Sequence, residues 1–136
     1  MNVVNPRLLQ ALEPHTATTM DGNVLIFVVH GNIRAEHAQP FIDMIDAHAE
    51  IHGRFPFVAY VQEMSGMDSG ARRSFVHVDR PYPFAPCFIV GASFTIRTVI
   101  LGVHRAGRVL FPRFFDWSMV MVQNDAEWQQ WLRENA

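Results

Sequence analysis

The sequence predicts one α/β domain spanning residues 1–136, with a mixed sheet of about five strands and about four helices. The expected order is β-β-α-β-α-β-α-β-α, with a core over about 15–135 and residues 1–14 as an N-terminal extension or short helix. Three observations predict this. A turn signal, Asp21-Gly22-Asn23, separates two extended runs. Short apolar runs then recur at 57–62, 87–91 and 119–123, bounded by Gly, Pro and polar residues. Between them lie longer stretches with apolar residues at helical spacing.

Taken in order, Pro6–Leu12 suits a short leading helix with proline at its first position. Thr16–Met20 and Val24–His30 form the hairpin arms. The run VLIFVV is apolar on both faces, as a central strand covered from both sides would be. Ala38, Phe41, Ile42, Ile45 and Ala49 give a helix over Ala35–His52 that Gly53 stops. A third strand, Phe57–Gln62, leads through a Ser- and Gly-bearing loop into a short helix from about Gly70 to His77. The proline-rich segment 79–86 is expected to be irregular before the strand at 87–91. Ser93 is a candidate cap for a helix over Phe94–Arg108, with Ile96, Val99, Ile100 and Val103 on one stripe. After a strand at 119–123, Asn124 or Asp125 caps a last helix whose Trp128, Trp131 and Leu132 share a face. Alternating strands and helices imply parallel pairing through right-handed crossovers.

Composition narrows the function classes. Hydrophobic residues make up 49% of the 136, enough for an autonomous core. A formal net charge of −2 argues against nucleic-acid binding through a broad basic surface. No apolar run reaches the roughly 20 residues of a membrane span, and no signal peptide opens the chain. The single cysteine, Cys87, has no intrachain partner, which fits a reducing, cytoplasmic setting.

The stretch of most interest is Glu63–Phe75, EMSGMDSGARRSF. Ser69 stands at a strand-to-helix junction, where free N–H groups and Arg72 or Arg73 suit a phosphate. The same Asp-Ser-Gly is also explained by helix capping. The glycine spacing around Ser69 misses the Gly-x-Ser-x-Gly of a nucleophile elbow. His48 and His52 lie one turn apart, yet no zincin order or third ligand accompanies them, and they read as rim-of-core side chains; neither a metal nor a cofactor is expected. On the helix over Phe94–Arg108, Arg97, His104, Arg105 and Arg108 lie opposite the apolar stripe, as a solvated face or a candidate anion-binding surface. Lysine is absent, so every side-chain cation other than histidine is arginine, suited to bidentate contacts. Tyr82, Phe84, Phe111, Phe114, Phe115 and Trp117 sit in proline-containing stretches, as a roof over the core or an exposed patch. Phe111-Pro112-Arg113-Phe114-Phe115 is the candidate homodimer contact or apolar lid.

With Met67-Asp68-Ser69-Gly70 after the third strand, the order of elements resembles the STAS domain family (sulfate transporter and anti-sigma factor antagonist). That family commonly carries Asp-Ser-Ser-Gly there, and a partner kinase phosphorylates a serine in the motif. This chain lacks the second serine and continues with Ala71-Arg72-Arg73 where members usually have a small, apolar helix start. It is more similar to stand-alone bacterial anti-sigma-antagonist-like proteins, through Arg72-Arg73 and the closing Asp125-Ala126-Glu127-Trp128 with Trp131-Leu132. The resemblance implies a non-enzymatic, regulatory domain that binds a protein such as a serine kinase or anti-sigma-type regulator. It places the partner-binding loop at Ser65, Met67, Asp68, Ser69, Gly70, Arg72 and Arg73. The alternative reading is a binding module for a small apolar or anionic ligand, similar to lipid carriers, with the loop aromatics and Arg97, Arg105 and Arg108 around the pocket.

Overall fold

The computed structural model describes residues 5–135. The elements run α1 (Pro6–Leu12), β1 (Thr16–Met20), β2 (Val24–Ile33), α2 (Ala35–His52), β3 (Phe55–Met67), α3 (Ser69–Val76), β4 (Phe84–Val90), α4 (Phe94–Leu110), β5 (Met119–Val122) and α5 (Asp125–Glu134). The expected order holds. Among the described residues the helices number five, because the short leading helix forms, with the Asn5 side chain capping it.

The five strands stand in the sheet in sequence order, β1-β2-β3-β4-β5. The hairpin pair is antiparallel and the remaining three pairs are parallel. Right-handed crossovers that step steadily in one direction put every crossover helix on the same side. One buried cluster accordingly packs Phe41, Met44 and Ile45 of α2, Ala71 of α3 and Ile96 of α4 on Phe27, Phe57, Ala59 and Ile89 of the sheet. The opposite face carries Val24, Ile26, Val58, Phe88 and Val90, with Trp128 packed among them from α5. VLIFVV is therefore covered on both sides.

Three strands exceed their expected bounds, and the first, β2, runs past His30 to Ile33. β3 continues past Gln62 to Met67, paired with His30–Ile33 of β2 across two register shifts. Since β4 pairs with β3 only as far as Tyr60–Val90, this continuation is a two-stranded ribbon beyond the main sheet. Alternating burial fails along Gln62–Met67 because most of the ribbon faces solvent. β4 starts at Phe84 within the proline-rich segment. A register shift between Phe55 and Phe57 accommodates Pro86, which has no N–H to give to a ladder.

Candidate functional site

The β3–α3 junction is built by the ribbon. Asp68 donates its backbone N–H to the Ile33 carbonyl at 2.9 Å, and its carboxylate accepts from the Asn32 side-chain amide at 2.7 Å. Asp68 occupies the position before α3, yet its side chain makes no capping bond to the helix. Ser69 is the first helical residue, so the serine is not the cap either. Its side chain is exposed, as are those of Ser65, Asp68, Arg72 and Arg73. Met67 and Gly70 are half-buried. The Arg72 guanidinium bends back and donates through Nε to the Met67 carbonyl at 3.0 Å. The junction thus brings together all seven residues of the expected loop, on a strand end and a helix start rather than on a free loop.

Gly70 explains how the junction closes. A Cβ at that position would lie 2.9 Å from the Cβ of Ala35 at the start of α2. Only the absence of a side chain lets the two helix starts approach side by side. The N-terminal ends of α2 and α3 therefore present their positive dipole ends side by side beyond the C-terminal ends of β2 and β3. The only other ionic group of the ribbon is Glu63, 3.4 Å from the half-exposed His30.

α4 departs from its expected face. Arg97, Arg105 and Arg108 are exposed, and no acidic residue lies within α4. His104 is the correction: it is turned inward, with its ring centroid 4.5 Å from that of Trp117, and does not belong to the solvent face. Its angular position borders the apolar stripe, and the buried indole draws the imidazole across that border. Burial lowers the His104 pKa, so the ring is neutral near pH 7. His48, expected at the rim, is wholly buried; its Nε2 donates to the Asn23 carbonyl at 2.7 Å and its ring packs edge-on against Phe55. Among the described residues, no cluster of three His, Cys, Asp or Glu side chains is placed to hold a metal ion.

The loop aromatics roof the core. Tyr82, Phe84, Phe115 and Trp117 are buried, and Phe111 and Phe114 half-buried. Gly107 makes the roof possible, because a Cβ there would fall 2.4 Å from the Phe115 ring. Beneath the roof, between the sheet and α2, α3 and α4, lies an apolar cavity of about 140 Å³. Its walls include Ala59 and Cys87 from the sheet, Phe75 from α3, Val103 and His104 from α4, and Trp117. Arg97, Arg105 and Arg108 do not line it, contrary to the alternative reading. Burial raises the Cys87 thiol well above its ordinary range, so it serves as an apolar wall rather than a nucleophile.

Sequence reasoning also missed a buried pair, His15 and His37, each 1% exposed. The two are 22 positions apart and carry no shared local pattern.

This geometry defines a single α/β domain with a STAS-like fold. Within that class the fold is SpoIIAA-like. The chain is similar to the anti-sigma factor antagonist SpoIIAA in its unphosphorylated form, with 12% identity and a TM-score of 0.56 over 90% of this chain and 99% of that one. It is also similar to a protein of the DUF3478 family with a SpoIIAA-like fold from Shewanella loihica PV-4, with 11% identity and a TM-score of 0.60 over 87% of this chain and 91% of that one. No family model and no curated protein matches the sequence. Among the described residues, no helix is long and apolar enough to cross a membrane.

Proposed function

We propose that the chain is a non-enzymatic regulatory domain that binds a protein partner through the β3–α3 junction, with Ser69 as a phosphorylation switch. The observation that carries this reading is the exposed Ser69 hydroxyl at the first position of α3, flanked by exposed Arg72 and Arg73. A phosphoryl group there adds about −1.5 to −2 of charge at the positive end of a helix, within reach of guanidinium groups. That charge rewrites the surface of Ser65, Met67, Asp68 and Gly70 that the partner reads. The likeness to an anti-sigma factor antagonist supports a partner of the serine-kinase or anti-sigma type. In this reading the protein is cytoplasmic and needs no cofactor. Its homodimer contact is the end of α4 with Pro112–Phe114, where Val109 and Leu110 are 80% and 55% exposed.

The test is incubation of the purified chain with candidate serine kinases encoded beside its gene, followed by intact-mass measurement and peptide mapping. One added phosphoryl group on Ser69, lost in Ser69→Ala, supports the reading. Phosphorylation elsewhere, or partner binding indifferent to Ser69→Asp and to Arg72→Ala with Arg73→Ala, refutes it.

A further inference from the structure

The outer face of α4 carries features that the helix by itself disfavours. Phe94, at its first position, is 85% exposed. Arg97 closes the same turn, at the positive end of the helix dipole, with no acidic residue beside it. At about 3.6 residues per turn, Phe94, Arg97, Leu101, Arg105 and Arg108 fall on one stripe, turned away from the buried Ile96 and Gly107. Leu101 is half-buried and the three arginines are exposed. Elsewhere Arg34 and Arg80 pair with carboxylates, while Arg54 and Arg72 donate to carbonyls. Arg97, Arg105 and Arg108 form no ion pair among the described residues. Apolar and cationic side chains thus alternate along one face that nothing in the chain neutralises.

We propose that this stripe docks an acidic amphipathic helix of another protein, with carboxylates on the arginines and apolar side chains on Phe94 and Leu101. The stripe runs about 21 Å, so the docked helix is about four turns long. The arginine fork suits carboxylates, which it can hold through two parallel bonds. Charge decides against the other occupants. A second copy's α4 would set arginine against arginine. A second copy's α2 is acidic outside, through Glu36, Asp43 and Glu50. But α2, α3 and α4 share one side of the sheet, with α3 in the middle. A two-fold pair that seats α2 on α4 would therefore lay the exposed Arg72 and Arg73 of α3 against their own copies. An anionic bilayer is flat and would meet the acidic face of α2 as well. A single helix meets α4 alone. Val109 and Leu110 lie off the stripe and stay free for the homodimer contact. The stripe is also apart from the β3–α3 junction, so this docking and the Ser69 reading stand or fall separately.

The probe is a peptide of about 18 residues with leucine at the a and d positions of its heptads and glutamate flanking them. Its control carries lysine in place of every glutamate. Each is added to the full chain labelled with ¹⁵N. The glutamate peptide is expected to shift the backbone amides of Phe94, Arg97, Leu101 and Arg105, while those of Glu36, Asp43 and Glu50 stay in place. The lysine peptide should bind at least about tenfold more weakly. Arg97→Glu with Arg105→Glu should reverse that preference, and Phe94→Ser should weaken the glutamate peptide about tenfold. These positions are exposed, and glutamate at 97 suits that helix end, so the variants should keep the far-ultraviolet circular dichroism of the parent. If the double variant does not fold, the amide map and Phe94→Ser still decide. Ser69→Asp should leave the affinity unchanged, and phosphatidylglycerol vesicles should leave the α4 amides in place. Unmoved α4 amides at millimolar glutamate peptide, or equal affinity for the two peptides, would overturn the proposal. So would a preference that survives the double reversal, binding lost in Ser69→Asp, or vesicles that move the α4 amides.

Discussion

Nε2 of His15 lies 3.2 Å from Nδ1 of His37, in a buried chain of bonds that sets both tautomers. The His30 backbone N–H donates to His15 Nδ1 at 3.0 Å, so the proton of His15 sits on Nε2 and points at His37. The Arg34 backbone N–H donates to His37 Nδ1 at 3.0 Å, and His37 passes its own proton from Nε2 to the Glu13 carbonyl at 3.1 Å. Every nitrogen is used once both rings are neutral. An added proton on either Nδ1 would face a backbone donor.

Stability should therefore fall in mild acid. Burial, and then the neighbouring His37, lower the His15 pKa from its ordinary 6.5 to about 4. Between those values the unfolded chain binds a proton that the folded chain refuses. The contribution is full above pH 6.5 and is lost as pH falls toward 4, to an extent on the order of 3 kcal/mol. Burial lowers the pKa of His48 and His104 too, so they act with the same sign. Urea unfolding at pH 7.5 and 4.5 measures the loss. His15→Gln should flatten the dependence, and an unchanged slope in that variant refutes the assignment.

Gly70→Ala should destabilise the protein by about 1–2 kcal/mol, because the new methyl group meets the Ala35 Cβ at 2.9 Å. The contact is a single pair, so Ala35→Gly in the same chain should return much of the loss. A double-mutant cycle by thermal unfolding reads the coupling. Additive effects of the two substitutions would show that the helix starts do not constrain one another.

The far face offers a different test. Asp125 accepts from the Tyr60 hydroxyl and, at 3.2 Å, from Nε1 of Trp128, which is 1% exposed. Asp125→Ala strands the indole donor, at a cost of about 1–3 kcal/mol. Tyr60 should respond separately. Its pKa is raised to about 12, by burial first and by the Asp125 bond second. A titration of tyrosine absorbance should therefore find its ionisation moved downward in Asp125→Ala, and an unmoved titration would sink the pairing.

Gly107→Ala should also destabilise, by about 1–3 kcal/mol, even though alanine is the better helix former. The methyl group would enter the Phe115 ring at 2.4 Å, forcing α4 or the aromatic roof to shift. Phe115→Leu in the same background should relieve part of the cost. Near-ultraviolet circular dichroism should change with Gly107→Ala, since Tyr82 packs edge-on and Trp117 at a tilt against the same ring.

Much of this architecture was legible because it is written locally. The helix Ala35–His52 emerged with both ends as expected, since its apolar period and Gly53 are signals within one segment. The Ser93 and Asn124 caps were equally local, and both side chains accept from backbone N–H groups of their helices. The ribbon at Glu63–Met67 was not legible, because an exposed strand shows no alternation of apolar and polar residues. His104 was misplaced for a related reason. A helical wheel gives the angle of Cβ, whereas the final direction of the ring is set by Trp117, 13 positions away and on no common element. The seven junction residues could be gathered from sequence because they all fall within the one stretch 65–73. The cavity and the histidine pair depend on contacts between distant segments, and no spacing announces those.

The strand order has a bearing on how the chain acquires its shape. Since each strand lies beside the one that precedes it in sequence, no strand must wait for a distant segment before it can pair. Closure distances stay short and contact order modest for a parallel sheet. A polypeptide leaving the ribosome could lay down its hairpin, then add one strand and one helix at a time, each docking on a template already in place.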